Sequence, residues 1–329
     1  MIPVLVGAAA LFGAAKTVDA LDDMSRAKSI NNEAKEIAQN ADTRLKNVKE
    51  SVNNAISELG KTKIGIMSGS MKHFVDSFSQ IKNIDFQNSI GMEELRGFNP
   101  NSEEFKNLKQ ASFKASEVAT GGLGGIAAGT LTAAGAYGAV GAFAAASTGT
   151  AISALGGAAA TNATLAWLGG GAIAAGGGGI AAGTAVLGGL VAAPALLVTG
   201  FFLGSKAETA LNDARANRDK ARKYEQEIKN LCTVLDAIKS RANQIDNLLN
   251  ELNKKFYPAI SRLNDVLEFV GDDYRSYSPK AKDAVMLSAQ LAKTIKIILD
   301  TSLFKENGTL NDYETKQAID KGHALLAKV

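Results

Sequence analysis

The chain has 329 residues, with 36 lysines and arginines against 33 acids and a net charge of +3, a balance that argues neither for nucleic-acid binding nor for a polyanionic tail. Five prolines, 6% aromatics and runs rich in Ala, Lys, Glu, Asn and Leu exclude an all-β sandwich and point to an all-α protein. The single cysteine, Cys232, excludes an intramolecular disulfide framework and a zinc site with C-x-x-C spacing.

Met1–Ala15 is apolar and uncharged but lacks a Lys/Arg n-region, so no cleavable signal peptide is expected, and Ala14-Ala15-Lys16 leads straight into a helical pattern. Apolar or small residues then recur at Ala27, Ile30, Ala34, Ile37, Ala41, Leu45, Val48, Val52, Ala55 and Leu59. These steps of three and four predict a long coiled-coil or bundle helix that ends near Gly60-Lys61. A shorter helix carrying Ile64, Met67, Met71, Phe74, Phe78 and Ile81 follows. Asn83–Pro100 reads as a loop before a helix near Asn101–Val118.

No Asp, Glu, Lys or Arg occurs in Val118–Ser205, 88 consecutive uncharged residues that hold 23 of the 33 glycines. Gly121-x-x-x-Gly125-x-x-x-Gly129 and Gly179-x-x-x-Gly183 have the spacing that lays glycine along one helix face and lets helix backbones approach closely. Gly124–Thr130 recurs letter for letter as Gly178–Thr184, 54 residues on, which suggests two related helical hairpins. At about 1.5 Å per residue a bilayer core takes about 20 residues, so the tract has length for two to four spans. Candidate spans are Leu123–Ala146, Ala151–Leu168 and Ile180–Leu203, with Trp167 placed for an interface and Pro194 for a kink. Basic residues flank both ends, Lys106, Lys109 and Lys114 before and Lys206, Arg215, Arg218, Lys220, Arg222 and Lys223 after. Both flanks are therefore expected on the cytoplasmic side, joined by an even number of crossings.

Beyond the tract, Ala221, Tyr224, Ile228, Leu231, Leu235, Ile238, Ala242, Ile245, Leu249, Leu252 and Phe256 alternate steps of three and four without a fault. They predict a five-heptad helix that Pro258 interrupts, its seam buried against the first arm. Ser278-Pro279 reads as an N-cap with proline at the first helical position, opening a helix to about Leu299, and Asn307-Gly308 as a turn before a short last helix. The expected organisation is an elongated helical bundle with coiled-coil arms, 1–117 and 206–329, flanking a glycine-rich hairpin region, 118–205.

Chemistry-bearing patterns are sparse. Gly122-x-Gly124-x-x-Ala127 and Gly177-x-Gly179-x-x-Ala182 imitate a dinucleotide fingerprint, but no strand precedes either and no acid follows at the ribose position. His73 and His323 have no ligand-spaced neighbours. Asp22-Asp23 and Asp272-Asp273 read as solvated charge, with nothing nearby to shift a pKa. No enzyme activity, cofactor, metal or nucleic-acid partner is expected.

The run Thr161–Gly171 followed by Ala174–Gly179, together with Ser68-Gly69-Ser70, Phe74-Val75, Ile81-Lys82-Asn83, Ala139–Thr150 and Ile298–Thr301 before Asn307-Gly308, resembles a widespread bacterial family of glycine-zipper helical proteins. Its members often carry a chemotaxis-protein label, and the resemblance implies a fold more than an activity. In architecture alone, an apolar region between long amphipathic helices is similar to haemolysin-E-type pore-forming toxins, type III secretion translocators and apolipoprotein L. That similarity implies a bundle that shelters the apolar tract and releases it into a bilayer. A toxin or bacterial defence effector is then expected, passing from the cytoplasm to the inner membrane and forming a homo-oligomer through glycine and heptad faces. A permanent membrane scaffold or signalling coiled coil without a pore, and a soluble helical interaction protein, are the other readings.

Overall fold

The computed structural model describes residues 5–86, 95–119, 210–304 and 309–329. Regular structure among them is helical: α1 (Leu5–Ile66), a π-helical turn (Met67–Met71), α2 (Lys72–Phe78), α3 (Glu103–Ala119), α4 (Ala210–Phe269), a 3-10 turn (Tyr274–Ser276), α5 (Pro279–Asp300) and α6 (Asp312–Leu326). Two isolated bridges, Lys82 with Asp273 and Phe304 with Leu310, are the extended pairings seen among the described residues. The protein is all-α.

Several helix ends differ from expectation, each for a physical reason. Gly60 does not end α1, because the buried stripe of Val52, Ala55 and Leu59 goes on to Ile66. Burial of that stripe outweighs the roughly 1 kcal/mol that a mid-helix glycine costs. α2 stops at Phe78, before Ile81, which is buried from the following turn. Pro258 does not interrupt α4 either: the ring is exposed, while Phe256, Ala259, Ile260 and Leu263 continue the buried stripe past it. The Ser278-Pro279 pair does what its chemistry predicts, with the Ser278 side chain accepting from the Ala281 N–H and proline at the first helical turn. Asn307-Gly308 lies outside the described residues.

The chain divides into two compact units, one of Met1–Ser51 with Ala192–Asp236, the other of Val52–Val191 with Ala237–Val329. In the first, α1 buries Ala27, Ala34, Ala38, Ala41 and Leu45, and α4 buries Ala214, Ala221, Tyr224, Ile228, Cys232 and Leu235. Ile30, Ile37 and Val48 are only half-buried, and Leu231 gives its seam place to Cys232. The 3.6-residue helix drifts against a strict heptad and rotates the next residue into the interface.

In the second unit, an aromatic core gathers at the lower ends of the helices. Phe78 lies 5.0 Å from Phe74, 5.4 Å from Phe105 and 5.6 Å from Phe98 between ring centroids, and Phe74 lies 5.6 Å from Phe256. Phe86 meets Tyr274 edge-on at 5.7 Å. Such pairs add about 0.5–1.5 kcal/mol each beyond area burial. α6 closes the unit by bringing Gly322 so near α4 and α5 that a Cβ there would lie 2.7 Å from a Leu248 methyl and 3.1 Å from Ile298.

Candidate functional site

The best-defined arrangement is the seam between α1–α2 and α4, which side-chain pairs pin in register. In the first unit, Asn217 Nδ2 donates to Asn31 Oδ1 at 3.0 Å, and Glu33 receives Arg222 at 3.2 Å and Arg218 at 3.6 Å. The Tyr224 hydroxyl donates to the Asp42 carboxylate. In the second unit, Ser70 donates to Asn253 and Ser77 to Asn264, each at 2.5 Å. Sequence separation across these bonds stays between 182 and 189 in the first unit and at 183 and 187 in the second. Constant separation means that α1–α2 and α4 run parallel in each unit, the opposite of a hairpin.

Polar groups set at a helix seam specify register because any slip strands them without partners. Burial, then the bond to Asp42 and its charge, push the Tyr224 hydroxyl up to about 12. One nitrogen of this network, Arg218 Nε, is buried without a hydrogen-bond partner.

The lower ends of α2 and α4 are fastened to each other. Two residues beyond the end of α4 stands Gly271, whose N–H donates to the Val266 carbonyl at 3.2 Å and whose φ of +105° suits glycine. The next residues pair with the segment after α2. The Lys82 N–H donates to the Asp272 carbonyl at 2.7 Å, and the Tyr274 N–H to the Lys82 carbonyl at 3.1 Å. Lys82 Nζ pairs with the Asp272 carboxylate at 2.7 Å, and Asn83 Nδ2 donates to Asp273 Oδ1 at 3.0 Å. The Arg275 guanidinium, and after it Asn83, hold the Asp273 carboxyl well below the usual carboxylate range.

Asp272-Asp273 is therefore a structural clasp: both carboxylates keep contact with solvent, in line with the expectation of solvated charge, and the part of that expectation that is corrected is that nothing nearby shifts a pKa, since Asp273 is shifted. Two of its partners, Lys82 and Asn83, lie about 190 residues away and were out of reach of sequence reasoning, whereas Arg275, two residues on, was within reach and was passed over. The other local signal was Asp-Asp directly after a glycine beyond a helix end. Asp22 is ordinary by comparison, exposed and paired with Arg26 one turn on at 2.8 Å.

Upward from the clasp, Lys63 Nζ donates to the Leu299 carbonyl at 2.9 Å, one of the last-turn carbonyls that α5 cannot satisfy internally. Burial pushes the Lys63 ammonium down to about 8, against a smaller upward pull from Asp300. The Lys63 side chain thereby ties α1 to the end of α5. Arg241 of α4 pairs with Asp312 at the start of α6, and Lys255 reaches the Val329 carbonyl at 3.2 Å.

Of the expected seam residues, Ile228, Leu235, Ile238, Ile245, Leu249 and Leu252 are buried, and Leu231 is half-buried. Leu248 joins them, nearly fully enclosed beside Gly322. His73 and His323 are exposed. Gly121, Gly125, Gly129, Trp167, Gly179, Gly183 and Pro194 lie outside the described residues. No described helix is long and apolar enough to cross a membrane, and no group of three His, Cys, Asp or Glu among the described residues could hold a metal ion. No protein-family model matches the chain, and no curated protein or solved structure is significantly similar to it. The described helices therefore define a class only, that of all-α proteins with parallel-paired long helices.

Proposed function

We propose that this chain is a membrane-inserting, pore-forming α-helical protein, a toxin or defence effector, that oligomerises through the glycine faces of its central tract. The observation that carries this reading is the run of 88 residues without an Asp, Glu, Lys or Arg between Glu117 and Lys206. Its glycine and alanine content supplies little transfer free energy per residue, at about 25 cal/mol per Å² of apolar area. Conditional insertion suits such a tract better than permanent residence in a membrane. Support also comes from the helices that border it, α3 and α4, which are amphipathic and held by specific pairs such as Lys293 with Glu104 and Ser70 with Asn253.

The test is release of an entrapped dye from liposomes on adding purified full-length protein, with pH and the fraction of anionic lipid varied. Release that Ile180→Arg abolishes is the expected result, since an arginine near the bilayer centre costs about 2.5–3.5 kcal/mol. No release under any condition, with all of the protein recovered after carbonate extraction, would refute insertion. Protein found only in the membrane pellet from synthesis onward, and silent in the dye assay, would favour a scaffold.

A further inference from the structure

In the second unit two neighbouring helices each depart from regular α-helix. α1 passes into α2 through the π turn Met67–Met71, and α4 carries Pro258 in its interior. They share one level. Ser70 in the π turn donates to Asn253, five residues before the proline, and a Cβ on Gly69 would lie 3.3 Å from the hydroxyl of Tyr257, the residue just before it. A π turn carries one residue too many for the i to i−4 ladder, and a proline removes the N–H that the carbonyl four residues earlier, that of Lys254, would have accepted. Both helices thus interrupt their i to i−4 ladder at the same height, one by shifting to i to i−5 bonding and the other by lacking a donor. Sharp bends in helices concentrate at such positions.

What lies on either side differs in kind. Below the layer, Phe74, Phe78, Phe105 and the Asp272-Asp273 clasp form a closely packed end. α3 is seated across the layer itself: Ser112 and Ala115 are fully buried, and the Lys72 ammonium lies 4.7 Å over the ring of Phe113, which is 41% exposed. α3 is also the helix whose sequence runs directly into the uncharged tract.

We propose that the Met67–Met71 and Pro258 layer is a hinge, on which the aromatic end bends against the rest of the second unit, and that bending unseats α3 from the π turn. The hinge stands on the geometry alone. Its consequence for the tract rests on the membrane-insertion reading. Had the π turn served only to keep Met71, Phe74 and Phe78 on the buried stripe, stiffening α4 would leave its dynamics unchanged.

Hydrogen exchange read by mass spectrometry on the full-length protein tests the coupling. In the parent, amides of Met67–Lys72 and of residues 254–262 are expected to exchange at a common rate, faster than those of residues 52–66 and 238–252. Pro258→Ala restores the missing N–H in α4 and is expected to slow exchange across Met67–Lys72 by about ten-fold. Slowing confined to α4 would overturn the hinge. Should Pro258→Ala lose helical content, Gly69→Ala gives the reciprocal readout: its methyl abuts the Tyr257 hydroxyl, and slower exchange is then expected over residues 254–262, with no change there counting against the proposal. In the dye assay, a stiffened variant that floats with liposomes as the parent does but releases several-fold less dye supports the unseating step, and unchanged release overturns it. A parent that never releases dye refutes the membrane reading and the unseating step together, while coupled exchange still upholds the hinge.

Discussion

Replacing Lys63 by methionine isolates the effect of one withdrawn charge on stability. The ammonium is held at about 8 against an ordinary 10.5, first by burial and in opposition to Asp300. At about 1.4 kcal/mol per pKa unit this corresponds to about 3 kcal/mol. Lys63 keeps intermediate exposure as a residue, so solvent screens part of that penalty and about 1–2 kcal/mol is the expectation. The sign follows from proton binding: between pH 8 and 10.5 the unfolded chain keeps a proton that the folded chain has released, so stability rises with pH across that window. Below pH 8 the penalty is present in full. Lys63→Met removes it but also removes the bond to the Leu299 carbonyl, worth about 1 kcal/mol. At pH 7 the variant should therefore match the parent or exceed it by up to about 1 kcal/mol. Urea unfolding at several pH values gives the decisive quantity, the difference between parent and variant. It should shift in favour of the parent by about 1–2 kcal/mol between pH 8 and 10.5. Parallel profiles would show that the Lys63 ammonium is freely solvated and the reasoning wrong.

Tyr224, raised to about 12 by burial and Asp42, has the opposite dependence: stability should fall as pH rises from 10 towards 12, and unfolding curves of Tyr224→Phe should lack that fall. Leu235→Ala and Leu249→Ala, both at fully buried seam positions, should each cost about 2–5 kcal/mol by chemical denaturation, and parental stability would mean that the seam is not buried in solution. Gly322→Ala gains about 1 kcal/mol in helix propensity but forces a methyl against Leu248 and Ile298. Overpacking of about 1–3 kcal/mol should win, and a raised melting temperature would contradict it.

How much of this was legible in the sequence differs from one element to the next. The α4 seam could be read almost residue by residue, because a narrow buried stripe repeats with the period of the helix itself. Leu231 and Cys232 exchanged places because the helix drifts against a strict heptad. Gly60 and Pro258 misled for a shared reason: their local preference to end a helix is worth a few kcal/mol at most, and burial of the stripe continuing past each is worth more. Helix direction was not legible at all. A periodic seam looks the same to a parallel and an antiparallel partner, and the pairs that settle it, Asn31 with Asn217 and Ser70 with Asn253, involve residue types that also populate exposed surfaces. Lys63 was hidden likewise, since its environment comes from the end of α5, 236 residues further on.

Pairing in the same direction also imposes an order on biosynthesis. The bonds that join α1–α2 to α4 span 182 to 189 residues, so every N-terminal seam residue leaves the ribosome long before its counterpart exists. At about 5–20 residues per second, the wait is about 10–40 s. The whole uncharged tract is made during that interval, ahead of α4. A nascent chain therefore carries its least water-compatible stretch and an unpaired α1 seam together, and a chaperone or an early encounter with a membrane has its opportunity then, before the helix that pairs with α1 has been translated.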